Sequence, residues 1–333
     1  MFGKILIRKK IFNILYASIR SHQVTVLGGA TDVGQTISLM LRSQPNITKL
    51  VIHDTLKETP GVTLDLSHVP TNAEVKGYVG EEYLEPALMN SELIICAAGV
   101  TRTPSITENT CFTTNTVFIK SLAKAIARLE PMPFIGIVTE PINSLIPMTA
   151  EIVRNYGELD VRKLFGISTI DFLRAQILYA SIHKLHPSDV SVPVIGGRSY
   201  KTCIPLLSQA LPAKDMNERE AQTFTMKLRK ADHDIMKAKN GLAPVLSVAH
   251  SAVLFTRSVL NALDGNDEVV HAFVDNNDFG TDYFSGLVHI NRDGVKEMQR
   301  YSKLSNFECQ LLENSIEELR KDVLQGKKIL EYA

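Results

Sequence analysis

The stretch VIGGRSYKTCIPLLSQ, residues 194–209, presents one side chain with distinctive chemistry. An apolar run ends in two glycines, a polar turn follows, and a second apolar run begins. This pattern predicts a loop that lifts Arg198 from a sheet edge into a cleft. A guanidinium stays protonated, with a pKa above about 12, so Arg198 cannot accept a proton near neutral pH. Its forked N–H groups are suited to binding a carboxylate instead.

A second candidate site is the loop VLGGATDVGQ, which joins an apolar β-branched run to a segment with helical spacing. Gly28 and Gly34 stand six residues apart, as the outer glycines of GxGxxG-like loops do, and such a loop points a helix N-terminus at a pyrophosphate. Asp54 ends the next predicted strand, 20 positions after Gly34, where an acid contacts ribose hydroxyls. This order predicts a dinucleotide-binding unit, and the alternative is an ordinary βαβ turn with a solvated aspartate.

Two residues inside this loop act against tight cofactor binding. Thr31 carries a Cβ where phosphates must come close, and the Asp32 carboxylate would repel them. That repulsion costs about 1 kcal/mol in water and several at an effective dielectric near 20. Asp32 can instead cap the helix that begins beside it. We therefore expect weakened binding at this loop.

The elements that must position these residues alternate in type along the first half of the chain. The predicted strands are QVTVLGG, KLVIHD, SELIICAAG and MPFIGIVTEP, and a helix around TVFIKSLAKAIARLE separates the last two. Alternation of this kind predicts right-handed crossovers and a parallel sheet covered on both faces. From about residue 145 the pattern is mixed, with strand-like DVSVPVIGG and KTCIPLL among long helices at DFLRAQILYASIHKL, NEREAQTFTMKLRKADHDIMKAK and NFECQLLENSIEELRKDVLQGKKILEY.

Length and composition exclude several function classes. A chain of 333 residues that is 44% hydrophobic is long enough for two closely packed lobes. Basic and acidic residues number 36 each, so the basic excess typical of a nucleic-acid binder is missing. No run approaches the roughly 20 apolar residues of a membrane span. The cysteines lack metal-ligand spacing and predict buried, reduced thiols and no metal site: Cys96, Cys111, Cys203 and Cys309.

The N-terminal segment, residues 1–23, differs from the rest in charge. It is basic and amphipathic, and no acid occurs before Asp32. This pattern is typical of a mitochondrial targeting segment. A secretory signal with IFNILYASI as its apolar region and a disordered tail are the alternatives.

Seven motifs follow one another in a familiar order: DLSHV, AAGVTRTPSIT, EPINS, KLFGISTIDFLRA, VSVPVIGG, KTCIPLLSQ and YFS. From about Val24 to the C-terminus the chain resembles the mitochondrial type of malate dehydrogenase, within the lactate/malate dehydrogenase family. The resemblance implies an α/β chain with a Rossmann-type doubly wound parallel sheet, the NAD-binding domain, in residues 24–145. A mixed α/β substrate domain is implied in residues 146–333. It also implies NAD, interconversion of malate and oxaloacetate in the tricarboxylic acid cycle, a homodimer and, with the targeting segment, the mitochondrial matrix.

The implied oxidoreductase chemistry needs a base for the hydroxyl proton of malate, an acid that orients that base, and arginines that clamp two carboxylates. Asp171 in STIDFLRA matches the orienting acid, and Arg174 matches a clamp. Arg102 in GVTRTPSITE matches a second clamp, on a loop that family members close over substrate. Asp171 and Arg174 can also form a merely structural ion pair on one helix. The implied cofactor contacts are Gly28, Gly34, Asp54 and Asn115.

Three positions depart from the family pattern. Similar enzymes have GGHAGKT where this chain has GGRSYKT, so Arg198 replaces the proton-transferring histidine. Glu108 stands where the family has a carboxylate-binding arginine, and Glu140 stands where it has an asparagine before proline. The three arginines and three acids of this site sum to zero charge. We predict that Arg198 pairs with Asp171, Glu140 or Glu108 in a network that competes with a dicarboxylate.

These departures predict a catalytically impaired or inactive family member, a pseudoenzyme kept for binding or assembly, as a homodimer or with a related active subunit. Loss of acid–base catalysis alone costs about 10²–10⁴-fold in rate. One alternative is an active NAD-dependent malate dehydrogenase of central carbon metabolism in which water, His183 or His186 takes the proton. Another is a dehydrogenase for a different 2-hydroxy acid whose cationic group binds Glu108 or Glu140.

Overall fold

The computed structural model describes residues 21–328 of the chain. The predicted targeting segment, residues 1–23, lies outside these residues except for its last three positions. Two of those, His22 and Gln23, belong to the first strand. Regular structure is therefore present just before the predicted domain start at residue 24.

The first half of the described chain forms a six-stranded parallel sheet in the order β3-β2-β1-β4-β5-β6. Helices cover the sheet on both faces, which is why β4 and β5 are uniformly apolar and buried. The strand order is that of a doubly wound dinucleotide-binding sheet, and the predicted Rossmann-type fold is confirmed. The strands are β1 (His22–Leu27), β2 (Ile47–Asp54), β3 (Glu74–Val79), β4 (Leu93–Cys96), β5 (Phe134–Ile137) and β6 (Leu164–Ile167).

The sheet continues into the second half of the chain, because β6 pairs with β9 in antiparallel fashion. Beyond β9 the order is β10-β7-β8, and β11 also pairs with β10. The pairings in this half are antiparallel, so the expected mixed α/β C-terminal part is confirmed. Its strands are β7 (Val194–Gly196), β8 (Cys203–Pro205), β9 (Glu268–Asp275), β10 (Tyr283–Asn291) and β11 (Gly294–Met298).

Two groups of helices pack on this sheet. One group contains α1, which packs against α2 and α8, and α6, which packs against α7 and α8. In the other group α5 lies between α4 and α9. The helices are α1 (Asp32–Arg42), α2 (Thr59–Ser67), α3 (Leu84–Leu88), α4 (Glu108–Ile126), α5 (Ile142–Tyr156), α6 (Thr169–His183), α7 (Glu218–Ala238), α8 (Leu246–Leu263) and α9 (Asn306–Lys327).

Two helices differ from what the sequence pattern predicted. Helix α4 begins at Glu108, about eight residues before the predicted segment, because Thr107 caps it by accepting a hydrogen bond from the Thr110 N–H at 3.1 Å. Helix α5 was not predicted, since all its residues from Ile142 to Ala150 are buried and an all-buried helix has no polar face to reveal its period. The predicted division at residues 145/146 falls inside α5 and stays a prediction.

Helix α8 spans 18 residues and is long and apolar enough to cross a membrane by length and composition alone. It packs against α1, α6 and β9, and its buried residues include Phe255 and Leu260. These contacts are those of a core helix in a globular fold.

The cysteines were expected to be buried thiols. Three of them are buried, whereas Cys309 is exposed on α9, so the expectation is wrong for Cys309. Burial raises the pKa of the Cys96 and Cys111 thiols to about 11, which keeps both protonated and unreactive at neutral pH. Within residues 21–328 no cluster of three His, Cys, Asp or Glu side chains is arranged to hold a metal ion.

Candidate functional site

The loop that carries Arg198 is folded tightly on itself. Gly196 ends β7 with φ of 103°, and a Cβ on it would lie 2.1 Å from the Thr202 carbonyl oxygen, so this turn requires glycine. The Gly197 N–H donates to the same carbonyl oxygen at 3.0 Å. The Arg198 N–H donates to the Asn143 side chain at 2.9 Å. The backbone of Arg198 is therefore fixed on both sides of the loop.

The Arg198 side chain points inward and is only 7% exposed. Its Nη1 donates to Asp171 at 2.9 Å, and its Nη2 lies 2.7 Å from Glu140. These are two of the three acids named as its partners from the sequence. A further carboxylate, Asp232, lies 3.7 Å from Nη2. Arg198 thus fills its cleft and satisfies its own charge.

Arg174, the expected substrate clamp, is also occupied. It lies one turn after Asp171 on α6 and approaches that residue at 3.8 Å. Its Nη2 donates a short hydrogen bond to Asp232. Its Nε is buried without a partner among residues 21–328. Most of the guanidinium is therefore committed to side chains of the protein.

Asp232 is the functional residue that sequence reasoning missed. It lies in the segment NEREAQTFTMKLRKADHDIMKAK, for which the sequence predicted a long helix and no site residue. The buried residues of α7 include Thr225, Leu228 and Met236, and position 232 continues their spacing. This stripe was the signal, because an acid on the buried face of an amphipathic helix requires a cation next to it.

The protonation of this cluster follows from burial and charge together. Burial acts to lower the pKa of Arg198, but attraction to Asp171, Glu140 and Asp232 outweighs it and raises the pKa further. Burial acts to raise the pKa of Asp232, yet Arg198 and Arg174 hold it below its usual value. For Glu140, burial prevails over Arg198 and raises the pKa. Arg198 is therefore cationic at any working pH.

Arg102 and Glu108 lie at the mouth of the cleft. Both line a cavity of about 20 Å³ that also borders Arg198 and Glu140. Within the described chain no acid lies within ion-pair distance of Arg102. Glu108 opens α4 and is exposed, where its charge suits the helix N-terminus. Arg102 is therefore the cleft arginine left available to an incoming anion.

Little open space remains in the cleft. Two larger cavities beside Arg198 measure about 40 Å³ each, which is room for about three ordered waters. Arg198, Glu140 and Asp232 line both. A dicarboxylate entering here has to displace protein side chains.

None of the three cavities at Arg198 is lined by a described histidine. His183 lies at the C-terminal end of α6 and packs on Tyr179 at 4.4 Å between ring centres. His186 bonds to Ser188 at 2.7 Å. The nearby His271 is buried between Ser168 Oγ and the Val194 carbonyl. Among residues 21–328, no imidazole lines these cavities to replace Arg198 in proton transfer.

The glycine loop has the shape that a dinucleotide requires. Gly28 has φ of 75°, and a Cβ on it would lie 2.4 Å from the Ala98 backbone. A Cβ on Gly34 would lie 1.9 Å from the Gly28 carbonyl oxygen. Only glycines allow this close approach of helix to strand, which leaves the N-terminus of α1 open to a pyrophosphate. The residues present fit NAD.

The helix cap at this loop differs from the expectation. Thr31, and not Asp32, is the N-cap of α1: its hydroxyl accepts from the Gly34 N–H at 3.0 Å and donates to the Gly28 carbonyl at 2.7 Å. Asp32 is exposed in the first helical turn. Thr31 therefore stabilises the loop, and Asp32 places an exposed carboxylate in the first turn of α1.

The two other predicted cofactor residues tie loops together. The Asp54 carboxylate accepts hydrogen bonds from the Ala30 N–H at 3.0 Å and the Thr55 N–H at 2.8 Å. The Asn115 amide accepts from the Val100 N–H at 2.7 Å and donates to the Glu140 carbonyl at 2.7 Å. Asp54 thus orients the glycine loop, and Asn115 joins the loop after β4 to the segment that follows β5.

Comparison with known proteins gives a consistent result along the chain. Residues 22–166 match the family model of the lactate/malate dehydrogenase NAD binding domain, and residues 168–330 match that of the alpha/beta C-terminal domain. Mitochondrial malate dehydrogenase of Sus scrofa is 36% identical over 310 residues, 92% of this chain and 91% of the relative. The enzyme of Homo sapiens is 35% identical over 307 residues, 92% and 90% of the two chains.

Solved structures share the fold at lower identity. Malate dehydrogenase of Cryptosporidium parvum superposes with a TM-score of 0.79 at 23% identity, covering 93% of this chain and 100% of that one. Lactate dehydrogenase of the same organism, complexed with lactic acid and nicotinamide adenine dinucleotide, gives a TM-score of 0.77 at 19% identity, covering 94% and 98%. These likenesses support the architecture described above.

Proposed function

The chain belongs to the lactate/malate dehydrogenase family, and from the geometry of its cleft we propose that it binds NAD but turns over malate and oxaloacetate slowly or not at all. One observation carries the proposal. The Arg198 guanidinium lies 2.9 Å from Asp171, at the position where the family resemblance implies a histidine that moves the hydroxyl proton. A permanently protonated group cannot perform that step.

NAD is the cofactor of the family domain that residues 22–166 match. When bound, it accepts the hydride that leaves carbon C2 of a 2-hydroxy acid. The hydroxyl proton must leave to a base in the same reaction. Arg198 cannot take that proton, and Glu140, the acid whose pKa burial raises, is held by Arg198 at 2.7 Å.

Substrate binding is the second obstacle. A dicarboxylate carries two negative charges, whereas Arg174 is bonded to Asp232 and Arg198 to Glu140. Binding therefore requires these ion pairs to break and leaves Glu140 and Asp232 as half-buried charges without partners. Such a loss costs several kcal/mol.

The direct test is NADH oxidation by the purified protein with oxaloacetate, followed at 340 nm. We expect a rate at least about 100-fold below that of the mitochondrial relatives assayed alongside, the lower part of the range for lost acid–base catalysis. Calorimetric titration with NADH on the same preparation reports cofactor binding separately. A rate within about tenfold of the relatives, abolished by Asp171→Asn, would refute the impaired function and leave an active malate dehydrogenase.

A different 2-hydroxy acid is the second candidate substrate, and the acids of the cleft favour it. Glu108 lines the cavity at the mouth of the cleft and has no ion-pair partner among the described residues, so the cationic group of a substrate could pair with it. A panel of 2-oxo acids with and without an amino group, each assayed with NADH, distinguishes this candidate. Turnover of an amino-bearing acid alone would favour it over the inactive form.

We further propose that the protein acts in the mitochondrial matrix as a homodimer or paired with a related active subunit. The likeness to mitochondrial malate dehydrogenases and the basic residues 1–23 support the location. Exposed apolar side chains on helices of one group support a dimer face: Leu39, Leu64, Ile177 and Leu246. Sedimentation of the pure chain tests the homodimer, and co-expression with an active relative tests the mixed dimer. Import of the chain into isolated mitochondria tests the location.

A further inference from the structure

A fourth arginine lines one of the two cavities of about 40 Å³ beside Arg198. Arg229 is half-buried on α7, three residues before Asp232 and therefore on the same face of the helix. Unlike Arg174 and Arg198, it has no carboxylate within ion-pair distance among residues 21–328. Since a charge that leaves water without a partner is costly, an unpaired guanidinium in a cavity wall points to an anionic ligand.

Only part of this guanidinium is used by the protein. The Arg229 Nε donates to the Cys203 carbonyl oxygen at 2.8 Å, and its Nη2 lies 3.5 Å from the Ser315 hydroxyl. Nη1 has no hydrogen-bond partner in the described part of the chain. Burial lowers the pKa of Arg229, in contrast to that of Arg198, because no nearby acid offsets the cost of burial. The side chain nevertheless stays cationic, and Nη1 keeps its N–H groups for a ligand.

The cavity carries one unbalanced positive charge. Its wall holds four arginines, of which Arg174 and Arg198 are paired whereas Arg102 and Arg229 are not. It also holds the three carboxylates of the ion-pair network. With these acids ionised, a single negative charge makes the cavity neutral. A doubly charged ion would leave an excess negative charge next to the carboxylates of the wall.

The lining and the size of the cavity restrict the ligand further. Ser199 and Tyr200 bring hydroxyl groups to the wall, and Leu228 is an aliphatic side chain among the described lining residues. Space for about three ordered waters suits a carboxylate group, which has three non-hydrogen atoms. Hydrogen bonds between a guanidinium and a carboxylate are among the strong ones in proteins.

We propose that this cavity binds one small monocarboxylate anion, with a carboxylate oxygen accepting a hydrogen bond from Arg229 Nη1. The site differs from the substrate clamp implied by the resemblance, because Arg174 is bonded to Asp232. Binding at Arg229 breaks no ion pair and leaves the network around Arg198 intact. The inference goes beyond the proposed function and does not depend on NAD.

The test titrates the purified full chain with formate at low ionic strength and follows binding by saturation-transfer NMR on the formate proton. We expect a Kd of about 1–10 mM, within the limit for a ligand of three non-hydrogen atoms. Sulfate, a dianion, should displace formate with an inhibition constant at least about tenfold above that Kd. The absence of a saturable formate signal would overturn the inference. Displacement by sulfate as readily as formate itself binds would overturn the assignment to a monoanion.

Two substitutions at position 229 form a matched pair. Arg229→Gln removes the cation and should weaken formate binding at least about tenfold. Arg229→Lys keeps the charge and should bind formate at least about threefold more tightly than Arg229→Gln, so equal affinities in the two variants would contradict the proposal. Thermal unfolding of each variant checks that it is folded.

Two further variants locate the anion. Lys230→Gln removes an exposed cation from the same helix and should leave the formate Kd within about twofold, since an exposed charge is screened by solvent. Arg102→Gln removes the other unpaired arginine of the cavity wall. Loss of formate binding in Arg102→Gln, together with an unchanged Kd in Arg229→Gln, would place the anion at the mouth of the cleft and overturn the inference.

Discussion

Restoring the histidine at position 198 should recover little activity by itself. Arg198→His supplies a base beside Asp171, but it also removes the cation that lies 2.7 Å from Glu140 and 3.7 Å from Asp232. Both carboxylates then face the space that a dicarboxylate must occupy. We therefore expect the electrostatic obstacle to limit the single variant.

The size of this obstacle follows from the distances. At roughly 4–6 Å and an effective dielectric near 20, each unit repulsion costs about 3–4 kcal/mol. Even about 1.4 kcal/mol, which is less than half of that cost, corresponds to about tenfold in rate for each carboxylate. Arg198→His combined with Glu140→Asn and Asp232→Asn should therefore exceed Arg198→His alone by about 100-fold or more in kcat/KM for oxaloacetate.

The assay is NADH oxidation at saturating NADH and varied oxaloacetate. The matched control carries Glu140→Asn and Asp232→Asn with Arg198 retained, and it should stay inactive because it has room for substrate but no base. Activity in this control would refute the role given to Arg198. A single Arg198→His variant as fast as the triple variant would refute the role given to the two acids.

Three further predictions concern the stability of the same molecule. Asp232→Asn should lower the free energy of unfolding by about 2–3 kcal/mol at pH 7. Because the folded pKa of Asp232 is depressed, the difference between the two proteins should shrink as pH falls below about 4. Denaturant titrations at both pH values measure this difference, and a constant value would contradict the prediction. Burial lowers the pKa of His271, so below about pH 6.5 the unfolded chain binds a proton that the native state does not. The free energy of unfolding lost between pH 7 and 5 should therefore be smaller in His271→Gln than in the unsubstituted chain. Equal losses in the two proteins would contradict a neutral, buried His271 ring. Gly34→Ala should cost about 1–3 kcal/mol and weaken NADH binding, since its Cβ would meet the Gly28 carbonyl oxygen at 1.9 Å; Gly61→Ala on α2, where nothing lies within 4 Å of a Cβ, is the control and should be neutral or stabilising.

The fold was predictable where the pattern was regular. The parallel strands β1, β2, β4 and β5 are short apolar runs bounded by turns, and α7 and α9 have clear polar faces, so the bounding turns located the strands and the helical period located the helices. The strands β3, β6 and β9–β11 and the helices α2, α3, α5 and α8 were missed. Strand β9 and helix α8 are apolar over most of their length, and a continuous apolar run does not distinguish a buried strand from a buried helix.

The candidate site was predictable in most of its residues and in the pairing of Arg198 with Asp171 and Glu140, but Asp232 and its contacts were missed. The motifs identified Arg198, Asp171 and Glu140, and their charges predicted a network. The bond between Arg174 and Asp232 joins positions 58 residues apart, which no local spacing encodes. The sequence also did not show that the Thr31 hydroxyl caps α1 in place of Asp32. Which residue caps a helix depends on the backbone angles of the preceding loop.

The ion-pair network has a consequence for how activity and stability are related in this chain. In a cleft that binds a dianion, the arginines lie near one another without acidic partners until the ligand binds. Their mutual repulsion then destabilises the folded protein. Here Asp171, Glu140 and Asp232 neutralise the buried guanidinium groups, and the pairs join the ends of β5 and β7 to α6 and α7. Every substitution that frees an arginine for substrate therefore leaves a charge unpaired unless its acid is removed as well. Variants that gain dehydrogenase activity should accordingly lose stability in proportion to the number of ion pairs they break, because the contacts that exclude the substrate also hold the cleft closed.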